Sequence, residues 1–329
     1  MTRLDTSRLT ESTAPVQGDL EAFDRKLHDC LRGDSPLISS VARHLLKSKG
    51  KRIRPAFVFL AARAADFYTD SVVDASLAIE LIHTATLLHD DVVDESDVRR
   101  GQETVNYKWK NLISVLMGDY IFAKAFRVMV ETDSIQLIEA ISRATERVSV
   151  GELRQIEETQ NYALSEETYL EIIADKTASL FAVSCEVGPI LNGGDAEQRR
   201  RFNEFGEKIG TAFQIADDLL DFVGDPDVTG KELGNDVFNG YVTLPLIHSL
   251  KNVSESAGRE IIELLKKGAG KRTFEKIYAF VEENGGLEYT SRRASELGEE
   301  ALESISHLAP SQYLDSLNTL VRFTVARAS

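Results

Sequence analysis

Apolar positions recur at spacings of three and four from near Asp19 almost to the end of the chain. That period belongs to amphipathic helix rather than half-buried strand. It predicts helices over residues 19–31, 36–47, 54–68, 72–94, 112–131, 134–159, 166–191, 195–222, 243–250, 258–267, 273–284, 287–307 and 311–326. Turn residues fill the connections: Gly101, Asn192-Gly193-Gly194-Asp195, Gly224-Asp225-Pro226, Asn239-Gly240 and Asn284-Gly285-Gly286. No stretch alternates convincingly as a strand, and no linker rich in Pro, Ser or Gly divides the chain. The expectation is one all-α domain over residues 19–329, a helical bundle, preceded by a loose, flexible leader over residues 1–18. Two stretches, 113–125 and 180–187, are apolar on more than one face. Such helices lie at the centre of a large bundle or line an apolar cavity.

Two of these helices end in clustered acids. The first cluster is Asp90-Asp91-Val92-Val93-Asp94 and the second is Asp217-Asp218-Leu219-Leu220-Asp221. At about 100° per residue, Asp90 and Asp94 project only about 40° apart, one turn from each other. Stacked carboxylates repel, which a solvated surface tolerates at modest cost. At the wall of a cleft they ask for a cation. Two such clusters, each closing an apolar helix, suggest the walls of one acidic, metal-filled site.

Composition narrows the partners. A net charge of −15 argues against a nucleic-acid binder, whose affinity comes from a positive surface. It leaves room for a small anion held by a local basic cluster or by metal ions. Cys30 and Cys185 are far apart and in no CxxC pair, which reads as two free thiols in a reducing cytosol. No uninterrupted apolar run reaches the roughly 20 residues that span a bilayer. The first 18 residues lack an apolar signal-peptide core.

Basic groups sit near these acids in sequence. Gly50-Lys51-Arg52-Ile53-Arg54-Pro55 sets three cations just before an apolar helix, with Pro55 suited to its first turn. This is either a solvated basic patch or an anion site at a helix start. Arg99 and Arg100 follow Asp94 by five and six residues. Acids that gather metal, then two guanidinium forks, are what a diphosphate requires. Lys176, in Asp175-Lys176-Thr177-Ala178, faces either solvent or the site. Gln214 lies three residues before Asp217, on nearly the same face, and an amide among apolar neighbours needs a polar partner. Glu80 and His83 form one ExxH pair. A di-iron bundle needs two, and no other histidine has a glutamate three residues before it.

Together these stretches resemble the trans-isoprenyl (polyprenyl) diphosphate synthases. The resemblance runs from about residue 20 to the end, through GKRIRP, HDDVVDESDVRRG, TVNYKWKN, GDYIFAKAF, DKTASLF, GTAFQIADDLLDF, GKELGND and TLPLI in that order. It implies an all-α bundle around a central cavity, a homodimer, and a cytoplasmic prenyltransferase. The implied reaction is head-to-tail condensation of isopentenyl diphosphate with an allylic diphosphate by Mg²⁺-assisted ionisation. A terpene cyclase of the same fold usually lacks the second acidic motif and the basic pocket, and both are present here.

The resemblance also implies roles. Asp90, Asp94, Asp217 and Asp221 resemble ligands of Mg²⁺, about three ions per site. Asp91 and Asp218 complete the two metal motifs but point further aside. Arg99, Lys176 and Lys231 resemble the cations that grip the allylic diphosphate. Gly50, Lys51, Arg54, His83 and Arg100 resemble the isopentenyl diphosphate pocket. Thr177 and Gln214, with Lys176, resemble catalytic residues beside the reacting carbons. The family often carries lysine where this chain has Tyr241. Ala85 and Thr86, small residues just before Asp90, imply an open tunnel and a long product of about C30–C45. A short-chain product, or a role as one subunit of a heteromeric synthase, is the alternative. The tunnel floor is expected on the helix over 134–159, with Leu137 and Ile141 as candidates.

Overall fold

The computed structural model describes residues 3–33, 35–47, 50–99, 101–224, 233–266 and 270–326. Several helices begin where a short polar side chain accepts the backbone N–H three residues on. Ser134 accepts from Leu137 at 3.2 Å, Ser165 from Thr168 at 3.1 Å, Asp195 from Gln198 at 2.8 Å and Ser311 from Leu314 at 3.2 Å. Each bond satisfies an amide that the helix itself leaves unpaired. At Asp195 the Gln198 side chain also accepts from the Asp195 amide, completing a capping box.

In chain order the helices are α1 (Arg3–Thr13), α2 (Gln17–Cys30), α3 (Pro36–Lys47), α4 (Ile53–Ala64), α5 (Ser71–Val93), α6 (Val105–Trp109) and α7 (Asn111–Glu131). There follow α8 (Ile135–Glu157), α9 (Glu166–Ile173), α10 (Ser179–Leu191), α11 (Ala196–Val223), α12 (Asn235–Phe238) and α13 (Leu244–Lys251). The chain closes with α14 (Glu255–Lys266), α15 (Lys271–Glu283), α16 (Gly286–Ser304) and α17 (Gln312–Val325).

The centre is built from α4, α5, α10 and α11. Every residue from Leu180 to Ile190 on α10 is buried, as is every residue from Pro55 to Ala62 on α4. Phe57 meets Phe181 and Phe205 edge-on, with ring centroids 5.8 and 6.2 Å apart. α5 packs along α7, and α11 packs against α10 on one side and α16 on the other. A second apolar cluster joins α9, α11 and α13–α16 around Phe222, Leu244, Ile277 and Val281. Among the described residues one helix, α5, is long and apolar enough to cross a membrane. However, 67% of its apolar window is buried inside the protein, as expected of a core helix.

Three features depart from the sequence reading. The stretch read as a loose leader contains α1, which packs on α17; Leu9 rests on the core and Val16 has no exposure. The leader's apolar positions are too sparse to show a helical period, yet they meet a preformed surface. A two-stranded antiparallel hairpin, β1 (Val98–Arg99) with β2 (Gln102–Glu103), turns at Gly101, whose φ is +73°. At two residues per strand it is too short to show an alternating pattern. Finally, the helix expected over 166–191 is interrupted by a π-helical turn at Ala174–Ala178, which separates α9 from α10.

If the N-terminal segment is part of the folded unit, Val16→Asp buries an unpaired carboxylate. It should cost about 2 kcal/mol or more in urea unfolding; an unchanged midpoint would show that residues 1–18 are a solvated leader.

Candidate active site

The two acidic clusters stand at the C-terminal ends of α5 and α11 and face one cavity of about 610 Å³. Its lining brings together Arg54, His83, Thr86, Asp90, Asp94, Arg99, Lys176, Thr177, Gln214, Asp217, Asp218 and Tyr241. A smaller cavity beside it shares His83, Leu87 and Arg99 and takes in Gly50, Arg52 and Asp91. Arg100 and Lys231 lie outside the described residues. Lys51 is exposed and lines neither cavity.

The aspartates are used unequally. Asp91 is 4% exposed and turns away from the large cavity: its Oδ1 accepts from Arg99 Nε at 2.6 Å. Its backbone carbonyl accepts from Asn106 Nδ2 at 3.0 Å, which ties the hairpin and α6 to the end of α5. Asp218 is equally buried, and both its oxygens accept within the protein, from Gln214 Nε2 and from Tyr169 Oη, each at 2.7 Å. Asp221 does not line the large cavity. Its carboxylate accepts from the backbone N–H groups of Asn235 (3.0 Å) and Asp236 (3.1 Å), so it caps α12. Asp90, Asp94 and Asp217 line the cavity, and hard carboxylate oxygens there suit Mg²⁺ or Ca²⁺. Among the described residues no three His, Cys, Asp or Glu side chains converge on one point. Such acids fit ions that complete their coordination with a ligand's oxygens and water.

Negative charge dominates this cavity. Its lining carries nine carboxylates (Asp90, Asp94, Glu95, Asp97, Glu152, Glu158, Asp217, Asp218 and Asp236) against Arg54, Arg99, Lys176 and His83. The consequence is clearest at Asp90. Burial first, then the Glu152 and Asp94 carboxylates, push its pKa from 3.8 to about 7, against the pull of Lys176 and Arg99. Burial likewise drives Asp218 well upward, with Asp236 and Asp217 adding to it; the Tyr169 and Gln214 hydrogen bonds act the other way.

The cations are positioned by the fold. Lys176 and Thr177 lie in the π turn, where an extra residue per turn re-aims the side chains. That turn is seated on glycine. A Cβ on Gly151 of α8 would come within 2.4 Å of the Lys176 amide nitrogen. Lys176 Nζ reaches Glu152 at 2.8 Å and Gln155 at 2.5 Å, both on α8. Of the three cations before α4, Arg52 serves the fold. It sits at φ +52° and pairs with Asp24 and Glu80, each at 3.1 Å. Arg54 instead lines the large cavity with its guanidinium 4.5 Å from the centre of the Phe181 ring. Tyr241 Oη donates to Asp94 at 3.3 Å, and burial together with Asp94 raises its pKa.

Leu87, Val148, Leu180 and Phe213 give the cavity an apolar wall. Thr86 reaches this wall, while Ala85 has no exposure and lines neither cavity. Leu137 and Ile141 are likewise fully buried in the main core and line neither. Sequence reasoning missed Glu152, Gln155 and Tyr169. The signal was faint: Glu152 and Gln155 share one face of α8 at a spacing of three, next to the buried Gly151.

Residues 35–281 match the family described as Polyprenyl synthetase. The chain is 33% identical over 327 residues to an octaprenyl diphosphate synthase of Haemophilus influenzae, covering 99% of each chain. It is 37% identical over 315 residues to an all-trans-nonaprenyl-diphosphate synthase (geranyl-diphosphate specific) of Rhodobacter capsulatus, covering 95% of this chain and 96% of the other. The fold superposes with a TM-score of 0.92, at 34% identity and 98% coverage of both chains, on a polyprenyl synthase from Caulobacter crescentus complexed with calcium and isoprenyl diphosphate.

The Asp90 shift sets a pH dependence. A carboxyl whose pKa is raised on folding keeps its proton where the unfolded chain has lost it. Folding stability therefore falls as pH rises from about 4 to about 7. In chelator-treated protein the melting temperature should be lower at pH 8 than at pH 6. Mg²⁺ should raise it more at pH 8, and Asp90→Asn should flatten the slope. A slope unaffected by Asp90→Asn would show that another group carries it.

Proposed function

The chain belongs to the polyprenyl synthetase family, and we propose that it extends an allylic diphosphate with isopentenyl diphosphate to a long-chain all-trans polyprenyl diphosphate of about C30–C45. One observation carries this reading: a single large cavity is lined by two sets of acids, by several cations and by apolar side chains. A diphosphate and its hydrocarbon chain need both charged and apolar lining in one enclosure.

Asp90, Asp94 and Asp217 are the residues that would hold Mg²⁺, with Asp221 steadying the α11 end through its cap on α12. Mg²⁺ held there, about three ions in the full complex, would supply positive charge to the departing diphosphate and so favour cleavage of the allylic C–O bond. Arg99 and Lys176 supply further positive charge, with Lys231 as a third cation. Gly50, Arg54, His83 and Arg100 hold the isopentenyl diphosphate, and Lys51, outside both cavities, adds positive charge from the exposed surface. Thr177 and Gln214 present oxygens near the reacting carbons. Tyr241 donates to Asp94 but brings no positive charge, which leaves more of the allylic grip to metal and to Lys176. The proton released after carbon–carbon bond formation goes to the diphosphate that has just left.

Exposed apolar residues support a homodimer. On α7, Leu112, Leu116, Phe126 and Val130 fall on one stripe and are 52–69% exposed; Leu153 and Ile156 on α8 are 63% and 50% exposed. The reading places the enzyme in the cytoplasm with two free thiols, Cys30 and Cys185.

Purified protein with Mg²⁺, an allylic diphosphate and labelled isopentenyl diphosphate should yield extended prenyl chains, and Asp217→Ala should lose at least about a hundredfold in kcat. Incorporation only after a second, different chain is added would sink the homomeric reading. Thr86→Phe, which narrows the apolar wall, should shorten the product seen by chromatography; an unaltered product profile would mean that the growing chain does not pass this residue. Light scattering should report a dimer that Phe126→Asp with Leu116→Arg converts to a monomer. A wild-type monomer contradicts the assignment.

A further inference from the structure

Tyr169, Asp218, Gln214 and Thr177 form one hydrogen-bonded chain running from the second apolar cluster to the cavity wall. Its polarity is fixed from the buried end. Tyr169 is 3% exposed, and its Oη donates to Asp218 Oδ2 at 2.7 Å. Gln214 Nε2 donates to the other oxygen, Oδ1, also at 2.7 Å. The two donors converging on Asp218 favour its ionised form, and with both oxygens accepting it faces only the amine end of the Gln214 amide. The carbonyl end is thereby turned to Thr177, whose Oγ1 donates to Gln214 Oε1 at 2.8 Å.

A threonine hydroxyl has one hydrogen and two lone pairs. Once the hydrogen is spent on Gln214, a group entering the cavity meets Thr177 only as an acceptor. Reversing the amide would present an N–H to Thr177 and free its hydroxyl hydrogen to point at the reacting carbons. The two arrangements place opposite ends of the hydroxyl dipole beside a developing positive charge, in a setting shielded from water where such dipoles count most.

We propose that Tyr169 is a positioning residue: through Asp218 it fixes the orientation of the Gln214 amide, and through that amide it turns the Thr177 oxygen toward the allylic cation. The inference rests on the prenyl-transfer reading above. Tyr169 borders the cavity, but it is almost fully buried and its hydroxyl hydrogen is spent on Asp218, so it acts through that carboxylate. Its phenol removes the second Asp218 oxygen as a competing acceptor and holds the carboxylate at one angle.

Tyr169→Phe keeps the ring packing and deletes only the donor. Steady-state kinetics should show kcat reduced about tenfold or more, with KM for both diphosphates within about twofold of wild type. In a Gln214→Ala background the same substitution should cause no further loss of kcat, because the amide it orients is gone. A residue that merely stabilises the fold would lower the melting temperature without this kcat-selective, non-additive pattern. Should Tyr169→Phe fail to fold, Asp218→Asn tests the same chain. Its side-chain amide can donate to Gln214, and it should give the same selective loss of kcat. An unchanged kcat in the folded variant, a change confined to KM, or losses that multiply in the double variant would overturn the inference. Absence of turnover in the wild-type enzyme would instead overturn the prenyl-transfer reading.

Discussion

The site is organised by carboxylates that the fold buries and crowds together. Asp90 and Asp94 end α5, Asp217 lies near the end of α11, and both helices are anchored along their length in the core. In water such acids would drift apart or shed their charge into solvent. Here the packing of α4, α5, α10 and α11 denies them that freedom, and burial, with the Glu152 and Asp94 charges adding to it, pushes the Asp90 carboxyl upward. An acidic wall held in this way is poised for a divalent cation and unwelcoming to a bare anion. On the proposed reading, a diphosphate entering the cavity needs metal as well as Arg99 and Lys176.

Small residues make the other half of the site possible. The π turn at Ala174–Ala178 re-aims Lys176 and Thr177, and it can press against its neighbours because Gly151 and Gly210 have no side chain where the turn passes. Glu152 and Gln155 then hold the Lys176 ammonium from α8. The middle aspartates complete the frame. Asp91 holds Arg99 and Asp218 holds Gln214, so each acidic motif contributes at least one carboxylate to the cavity and one buried carboxylate that steadies a cavity-lining side chain.

Much of this was legible in the sequence because it rests on helical period and on residue chemistry at short range. The helices from Asp19 onward, the two acidic turns and the basic stretch before α4 all follow from such local patterns. What stayed hidden depends on long-range packing. Nothing in Gly50-Lys51-Arg52-Ile53-Arg54 says that Arg52 turns to Asp24 and Glu80 while Arg54 faces the cavity. The π turn breaks a period that the sequence continues without interruption. Ala85 and Thr86 are both small, yet only Thr86 reaches the large cavity, a distinction set by how α5 is rotated against its neighbours. Val16 looked like part of a polar leader because its partners are distant in sequence.

Calorimetric titration of inorganic diphosphate into the enzyme, with and without Mg²⁺, tests most directly whether the facing acids act through shared metal. Diphosphate should bind in the presence of Mg²⁺ and show no measurable heat in chelator, and Asp90→Asn combined with Asp217→Asn should remove the Mg²⁺-dependent binding. Equal affinity with and without Mg²⁺ in the wild-type protein would contradict this.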